Sequence, residues 1–427
     1  MLDLRQIREE PELVRARLSV RGRAEYIESV DRILELDEQR RSVISAVDNL
    51  RARRNVVSPE VGRLKQAGKH DEAEPLIREM RELGERMSAL EAERDAVETT
   101  VRDLLLNIPN LPEAAVPAGG ETANQLVREW GEERRYDFAP LPHWDLGEKL
   151  GILDLPRGTK IAGSGFPLYV GMGARLERAL INLMLDMHVH EHGYTEVSPP
   201  FVVNEAAALG TGHLPKYHDD MYFIDEDRLY LVPTAEIPVT NILAGELLDA
   251  DALPQRYVAY TPCFRREAGA HGKDTRGLLR LHQFDKVELM RFEMPAVSRA
   301  ALDELTQHAA NVLERLGLRY RVVLLAGGDL GFANAQTFDL EVWAPGVGRW
   351  LEVSSCSLYN DYQARRANIR FRPAPHEKPQ FAHTLNGSGL GLPRTLIAVL
   401  ETYQRADGSI ALPASIAQYL GTDHIAA

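Results

Sequence analysis

The chain is short of cysteine, of positive charge and of long apolar runs, and each shortage removes a class of protein. Only Cys263 and Cys356 occur in 427 residues, in no paired spacing. That excludes a disulfide framework and a cysteine-rich zinc site, and it fits a reducing cytosol. The 50 Lys and Arg against 63 Asp and Glu leave a formal net charge of −13. A broad polyanion-binding surface is therefore excluded, DNA is not an expected partner, and any nucleic-acid contact must be local. No stretch approaches the ~20 uninterrupted apolar residues of a membrane span. The N-terminus MLDLRQIREEPELV is charged from its third residue, so neither an export signal nor a membrane anchor is expected. What is present is 44% hydrophobic residues, enough for a sizeable core in two or three domains.

Residues 1–25 read as a short helical preface, with Pro11 in a first turn. From Tyr26 to about Asn55, Ile27, Val30, Leu34, Ile44, Val47 and Leu50 follow a three-and-four spacing that predicts a long helix. Val57, Ser58, Pro59, Gly62 and Gly68 interrupt it. A second seam then runs through Leu76, Met80, Leu83, Met87, Leu90, Val97, Val101 and Leu104, broken only at Arg94. Two such helices bury their stripes against each other or against another chain. An antiparallel coiled-coil arm of about 45 Å is the economical reading, at ~1.5 Å per residue, and a dimerising coiled coil is its rival. Arg51, Arg53, Arg54, Arg63, Lys65 and Lys69 cluster near the expected turn, where a basic tip can grip RNA backbone. Pro109, Pro112, Pro117, Gly119 and Gly120 mark a linker, so the expected division is arm 1–108, linker 109–121 and a second domain 122–427. After a proline- and glycine-bearing stretch from His143 expected as short strand-like pieces, that domain has a helix over residues 173–190 and a strand over 194–197 running into Pro199 and Pro200. His188, His190 and His192 read as a solvent-facing helix end, not a metal site.

Residues 259–290, AYTPCFRREAGAHGKDTRGLLRLHQFDKVELM, have apolar β-prone ends around a polar glycine-rich middle and predict a long hairpin. Period-2 alternation places Arg265 with Glu267, and Phe284 with Glu288, on one sheet face. A guanidinium for phosphate, an aromatic face for a base and two carboxylates for amines suit a nucleotide plus an amino compound. A solvated amphipathic hairpin has the same alternation. Thr234 and Glu236, two apart after a strand, can bind an ammonium group or cap a helix. In LEVSSCS, Glu352 and Ser354 share a strand face, and Ser355 enters a following loop. A carboxylate and hydroxyls beside a phosphate-binding arginine suit Mg²⁺, and a solvent-facing strand edge is the alternative. Asn386 to Gly391 reads as a flexible turn, and Arg394 then starts an amphipathic helix, where a cation is misplaced unless it faces an anion.

The run FRREAG, the loop GKDTRGLLR and the return strand HQFDKVEL closely resemble motif 2 of the class II aminoacyl-tRNA synthetases, in the form found in the seryl-tRNA synthetase family. Helix, strand and Pro200 resemble motif 1, and the Asn386 turn with Arg394 resembles motif 3, although Pro393 stands where the family commonly has glycine. Gly165 likewise stands where an arginine is frequent. The resemblance implies an α+β fold, a class II antiparallel β-sheet flanked by helices and preceded by an N-terminal helical arm that carries the long variable arm of tRNA. It implies a cytoplasmic homodimeric ligase that activates L-serine with ATP and charges tRNA(Ser), with tRNA(Sec) an additional candidate. Thr234, Ala235, Glu236, Glu288, Asn386 and Ser388 are the implied serine contacts. Arg265, Arg266, Glu267, Phe284, Arg394 and the segment Glu352, Val353, Ser354 and Ser355 are the implied ATP contacts. Arg265 and Arg394 are the implied catalytic arginines, and Glu352 with Ser355 would hold Mg²⁺. Threonyl and prolyl types usually add an anticodon-binding domain after motif 3, and fewer than about thirty-five residues follow Arg394 here.

Overall fold

The computed structural model describes residues 1–268 and 276–426. Within the polar loop expected between the hairpin strands, residues 269–275 lie outside the described residues. The chain forms two compact units, one of Leu2–Ser19 with Arg23–Ile108, the other of Pro109–Ala427 with Val20–Gly22.

The first unit is an antiparallel pair of long helices, α1 (Ala24–Gln66) and α2 (His70–Asn107). Val30, Ile33, Val43, Val47, Val57 and Leu64 from α1 are buried, as are Leu83, Met87, Val97 and Val101 from α2. The turn falls at residues 67–69, at Gly68 alone of the expected breakers, and the helix runs on through Val57–Gly62. Pro59 sits on the exposed face, where its missing N–H costs one helical bond while Val57 and Leu64 keep the seam continuous. At ~1.5 Å per residue, α1 alone is about 65 Å long. Arg51, Arg53 and Arg54 therefore stand well back from the turn. Arg51 pairs with Glu91 at 2.7 Å, and Arg53 with Glu79 at 2.6 Å. Asp37, buried in the seam, is satisfied by Arg8, Arg40 and Arg41 at 3.1–3.3 Å.

The second unit is built on an eight-stranded sheet. Its strands in chain order are β1 (Gln125–Trp130), β2 (Thr195–Glu196), β3 (Gln255–Phe264), β4 (Gln283–Glu293), β5 (Tyr320–Leu324), β6 (Gln336–Ala344), β7 (Arg349–Asn360) and β8 (His383–Gly391). They are ordered β1-β5-β6-β7-β8-β4-β3-β2, antiparallel throughout except for the short edge pair β2–β3. On β4 the odd positions Val287 and Leu289 join a core with Leu180 of helix α3 (Met172–His190), Leu305 of α4 (Ser298–Arg315) and Leu396 of α5 (Leu392–Tyr403). The even positions face the other way. That alternation leaves one sheet face free to build a site.

Asn386 to Gly391 is therefore not a turn but part of a buried central strand. Its glycines are needed for close packing: a Cβ on Gly387 would stand 2.4 Å from Leu305 Cδ2, and one on Gly389 would stand 2.5 Å from His188 Nε2. His188 is likewise buried instead of solvent-facing. Its Nε2 donates to the Gly389 carbonyl at 3.2 Å and its Nδ1 meets Nδ1 of His192, in the turn just past the helix, at 2.9 Å. Burial, with His192 second, pushes the His188 pKa down to about 3. The start of the expected linker is also pinned in place. Asn110, 4% exposed, donates its side-chain amide to the carbonyls of Ala333 and Tyr359 at 2.9 and 2.7 Å. Both cysteines are free and buried. Among the described residues, no helix is long and apolar enough to cross a membrane.

Candidate active site

The free sheet face forms the floor of a cavity of about 740 Å³, within the range of small-molecule sites. Antiparallel register sets Cys263 opposite Phe284, Thr261 opposite Lys286 and Ala259 opposite Glu288, while β8 sets Ser388 beside Glu288. Phe284, Lys286 and Glu288 consequently project into the cavity from alternate positions of one strand, and Asn386 and Ser388 join them from the next.

At the deep end two carboxylates are linked by one amide. Asn386 Nδ2 donates to Glu236 Oε2 at 2.9 Å and to Glu288 Oε1 at 2.8 Å, while Asn386 Oδ1 accepts from the Tyr359 hydroxyl at 2.9 Å. Gln363 Nε2 donates to Glu236 Oε1 at 2.6 Å. Glu288 Oε2 accepts from the Thr234 hydroxyl at 3.3 Å and forms a close ion pair with Lys286, whose Nζ also donates to Thr234 Oγ1 at 2.7 Å. Thr234 Oγ1 also accepts from the Glu236 N–H at 3.3 Å, at the start of the one-turn helix Glu236–Thr240, whose N-cap position is held by Ala235. Burial raises the pKa of both Glu236 and Glu288, opposed by Lys286. These are acceptor groups taken out of water and held by fixed donors, an arrangement suited to a small molecule carrying an ammonium and a hydroxyl.

The shallower end carries cations. Arg265 and Glu267 lie beyond the end of β3 at Phe264, so sheet alternation does not place them. Arg265 is instead bridged to His282, its N–H donating to the His282 carbonyl at 2.8 Å and its carbonyl accepting from His282 Nδ1 at 2.9 Å. Its guanidinium lies 5.1 Å from the centre of the Phe284 ring. Glu267, with φ at +51°, turns back to pair with Arg280 at 2.6 Å. Arg394, in the first turn of α5, donates to the carbonyls of Glu352 at 2.9 Å and Leu279 at 3.3 Å.

The β6–β7 pairing corrects the expectation for residues 352–355. Leu340 pairs with Ser354 but Glu341 with Glu352, so Val353 is an extra residue, a β-bulge. The bulge puts Glu352 and Ser355 on the cavity side and turns Ser354 inward, where its hydroxyl donates to the Ser388 carbonyl at 2.7 Å. Ser355 stays in the strand instead of entering a loop. Opposite Ser355 stands Asp339, whose Oδ1 is buried without a hydrogen-bond donor and whose carboxyl is raised well above its ordinary range by burial and then by Glu352. An acceptor left without a donor beside a second carboxylate and a hydroxyl fits a hard cation, and Mg²⁺ needs only one or two protein oxygens besides water and phosphate.

Three residues implied for the site do not present side chains to the cavity. Ser354 is one, Ala235 is packed in a separate apolar cluster, and Arg266 is exposed with its N–H on the Asp220 carbonyl at 2.8 Å. Conversely, sequence reasoning passes over Lys286, Arg280 and Asp339. Lys286 was legible, because it lies on the same alternation as Phe284 and Glu288.

A family model described as the seryl-tRNA synthetase N-terminal domain matches residues 1–112, and one described as the tRNA synthetase class II core domain (G, H, P, S and T) matches residues 221–403. The chain is 52% identical over 422 residues to the serine–tRNA ligase of Gemmatimonas aurantiaca and 51% identical over 422 residues to that of Geotalea uraniireducens, in each case covering 99% of both chains. Its fold matches the solved seryl-tRNA synthetase from Pyrococcus horikoshii, complexed with ATP, with a TM-score of 0.95 at 36% identity over 100% of this chain and 99% of that one. A prolyl-tRNA synthetase from Giardia lamblia, 15% identical with a TM-score of 0.57 over 66% of this chain, shares the fold alone. With relatives this similar across its whole length, and with both motif-bearing strands and the helical arm in place, the chain belongs to the seryl-tRNA synthetase family of class II aminoacyl-tRNA synthetases.

Proposed function

We propose a division of labour within the cavity for the serine–tRNA ligase activity of this chain. Serine binds at the deep end, its ammonium on Glu236 and Thr234 and its hydroxyl on Glu288 with Ser388 nearby. ATP lies toward the shallow end, with adenine on Phe284 and Glu267, the α-phosphate on Arg265 and the γ-phosphate on Arg394. The observation that carries this reading is the contrast between the two ends: two amide-linked buried carboxylates at one, the Arg265 guanidinium over the Phe284 ring at the other.

The chemistry needs no enzyme nucleophile. A serine carboxylate oxygen attacks the α-phosphorus, the bond to the bridging oxygen breaks and pyrophosphate leaves. A terminal ribose hydroxyl of tRNA then attacks the acyl carbon and AMP leaves. Two anions must meet, so alignment and neutralisation by Arg265 and Arg394 supply most of the catalysis. Glu352 and Ser355, with Asp339 behind them, are the residues that would hold Mg²⁺, which neutralises charge on the phosphates when bound.

The N-terminal helical unit is assigned to the long variable arm of tRNA(Ser), with residues 109–121 joining it to the catalytic domain. Homodimerisation is assigned to the face carrying α3, β2 and Pro200. A cytoplasmic setting fits the two free cysteines. A crystal structure with a non-hydrolysable seryl-adenylate analogue tests the reading: the adenine should stack on Phe284 and the seryl hydroxyl should meet Glu288. Reversed polarity would overturn it.

A further inference from the structure

Away from the substrate-facing groups, His143 and Glu401 form a polar pair that is completely buried, both 0% exposed. Glu401 Oε1 accepts from the His143 backbone N–H at 2.8 Å and from His143 Nδ1 at 2.9 Å. Because Nδ1 faces a carboxylate, it carries the ring proton and Nε2 is left as an acceptor, which takes the Leu278 N–H at 3.0 Å. The ring lies directly against the segment that follows the polar loop: a Cβ on Gly277, where φ is +66°, would stand 2.2 Å from His143 Nε2. Glu401 Oε2 meanwhile accepts from the N–H groups of Gly346 at 2.8 Å and Val347 at 3.0 Å, in the turn between β6 and β7.

One carboxylate thus joins three pieces of chain that reach the ATP end of the cavity. Leu278 and Leu279 line it directly, β7 brings Glu352, and α5 brings Arg394 two turns before Glu401 on the same helix face. Arg394 Nε also bonds the Leu279 carbonyl at 3.3 Å, so the segment is held to α5 at adjacent residues, once through Arg394 and once through His143. We propose that His143, held by Glu401, is a positioning residue for ATP, fixing the root of the polar loop against the helix that carries Arg394. It touches no substrate. Its effect falls on nucleotide binding and leaves the serine end, built from Thr234, Glu236, Glu288 and Asn386, unaltered. This rests on the assignment of the shallow end to ATP, for which the crystal structure with the seryl-adenylate analogue is the separate readout.

Two substitutions divide the bonds of His143. His143→Asn keeps an amide near the Nδ1 position, so it can hold Glu401 while losing Leu278. His143→Gln carries its amide to the Nε2 position, where its oxygen can still accept the Leu278 N–H. KM for ATP and for serine in pyrophosphate exchange, ATP affinity by calorimetry, and Tm are measured for both. The expected result is a KM for ATP raised about tenfold or more in His143→Asn, the scale of one buried N–H left unpaired, with KM for serine within about threefold and recovery of ATP binding in His143→Gln. A Glu401→Gln variant provides the check from the other side, because its NH2 must face backbone N–H donors either at His143 or at Gly346 and Val347, which breaks the join on one side. It should also weaken ATP selectively. The proposal is overturned if the two His143 variants have the same KM for ATP, whether normal or raised, or if KM for serine rises in step with it.

Discussion

Selection of serine over alanine turns on one hydroxyl, and with Glu288 as its proposed reader the surroundings of Glu288 set how much that hydroxyl is worth. An isolated buried carboxylate left unpaired by alanine would support discrimination of ~10⁴, as in sites built to bond a hydroxyl. Glu288 is not isolated: Asn386 donates to one oxygen, and Thr234 and Lys286 donate to the other. Of its roughly four acceptor positions about one remains for substrate. Losing that one bond to a charged acceptor is worth ~1.5–3 kcal/mol, or roughly 10–150-fold. Glu288→Ala should therefore shrink the serine-to-alanine ratio of kcat/KM by that factor. Glu288→Gln exchanges a charged acceptor for a neutral one, a difference of about 1–1.5 kcal/mol, and should shrink the ratio by only about 5–15-fold. The assay is amino-acid-dependent pyrophosphate exchange at saturating ATP. Tm serves as a control, because removing the carboxylate leaves Lys286 buried without its partner, at a cost of ~3–5 kcal/mol of stability. An unchanged ratio in both variants, or a larger change for Gln than for Ala, would refute Glu288 as the hydroxyl reader.

Arg265→Ala should abolish adenylate formation while Tm shifts little, since it removes a half-exposed cation and not a core side chain; near-normal pyrophosphate exchange would contradict the assignment. Deleting residues 28–101 and closing the gap with a short linker should preserve serine activation and cripple tRNA charging, and charging by the intact enzyme should fall steeply with salt; equal loss of both activities would mean that the arm supports the fold. Burial holds His188 at about 3, below its ordinary 6.5, so its contribution to stability is full above pH 6.5 and is lost as pH falls toward 3. Between pH 6.5 and 5 the loss is about 2 kcal/mol, and a His188→Gln variant that melts with the same pH slope as wild type would sink this account.

Much of the site can be read in the sequence because its chemistry repeats at strand spacing. Phe284 and Glu288 show themselves by alternation, and Thr234 and Glu236 by their place after a strand. Where alternation is broken the reading fails. The bulge at Val353 is invisible without the partner strand, so Ser354 is assigned to the face that Ser355 occupies. Glycine misleads twice over: Gly387 and Gly389 resemble a turn but serve the approach of α3 and α4, while Gly62 and Pro59 resemble a break in a helix that continues through them. The remaining misses are contacts between distant positions. His188 with Gly389, Asp339 with Ser355 and His143 with Glu401 are each joined only once the sheet and its helices are assembled, and no local pattern announces them.

The central claim is that the carboxylate-lined end of this cavity selects serine for activation without help from tRNA. Pyrophosphate exchange measured with each of the twenty amino acids, in the absence of tRNA, tests it most directly. Serine should support exchange by far the fastest, with alanine and threonine far behind. Exchange that is absent without tRNA, or as fast with another amino acid as with serine, would contradict it.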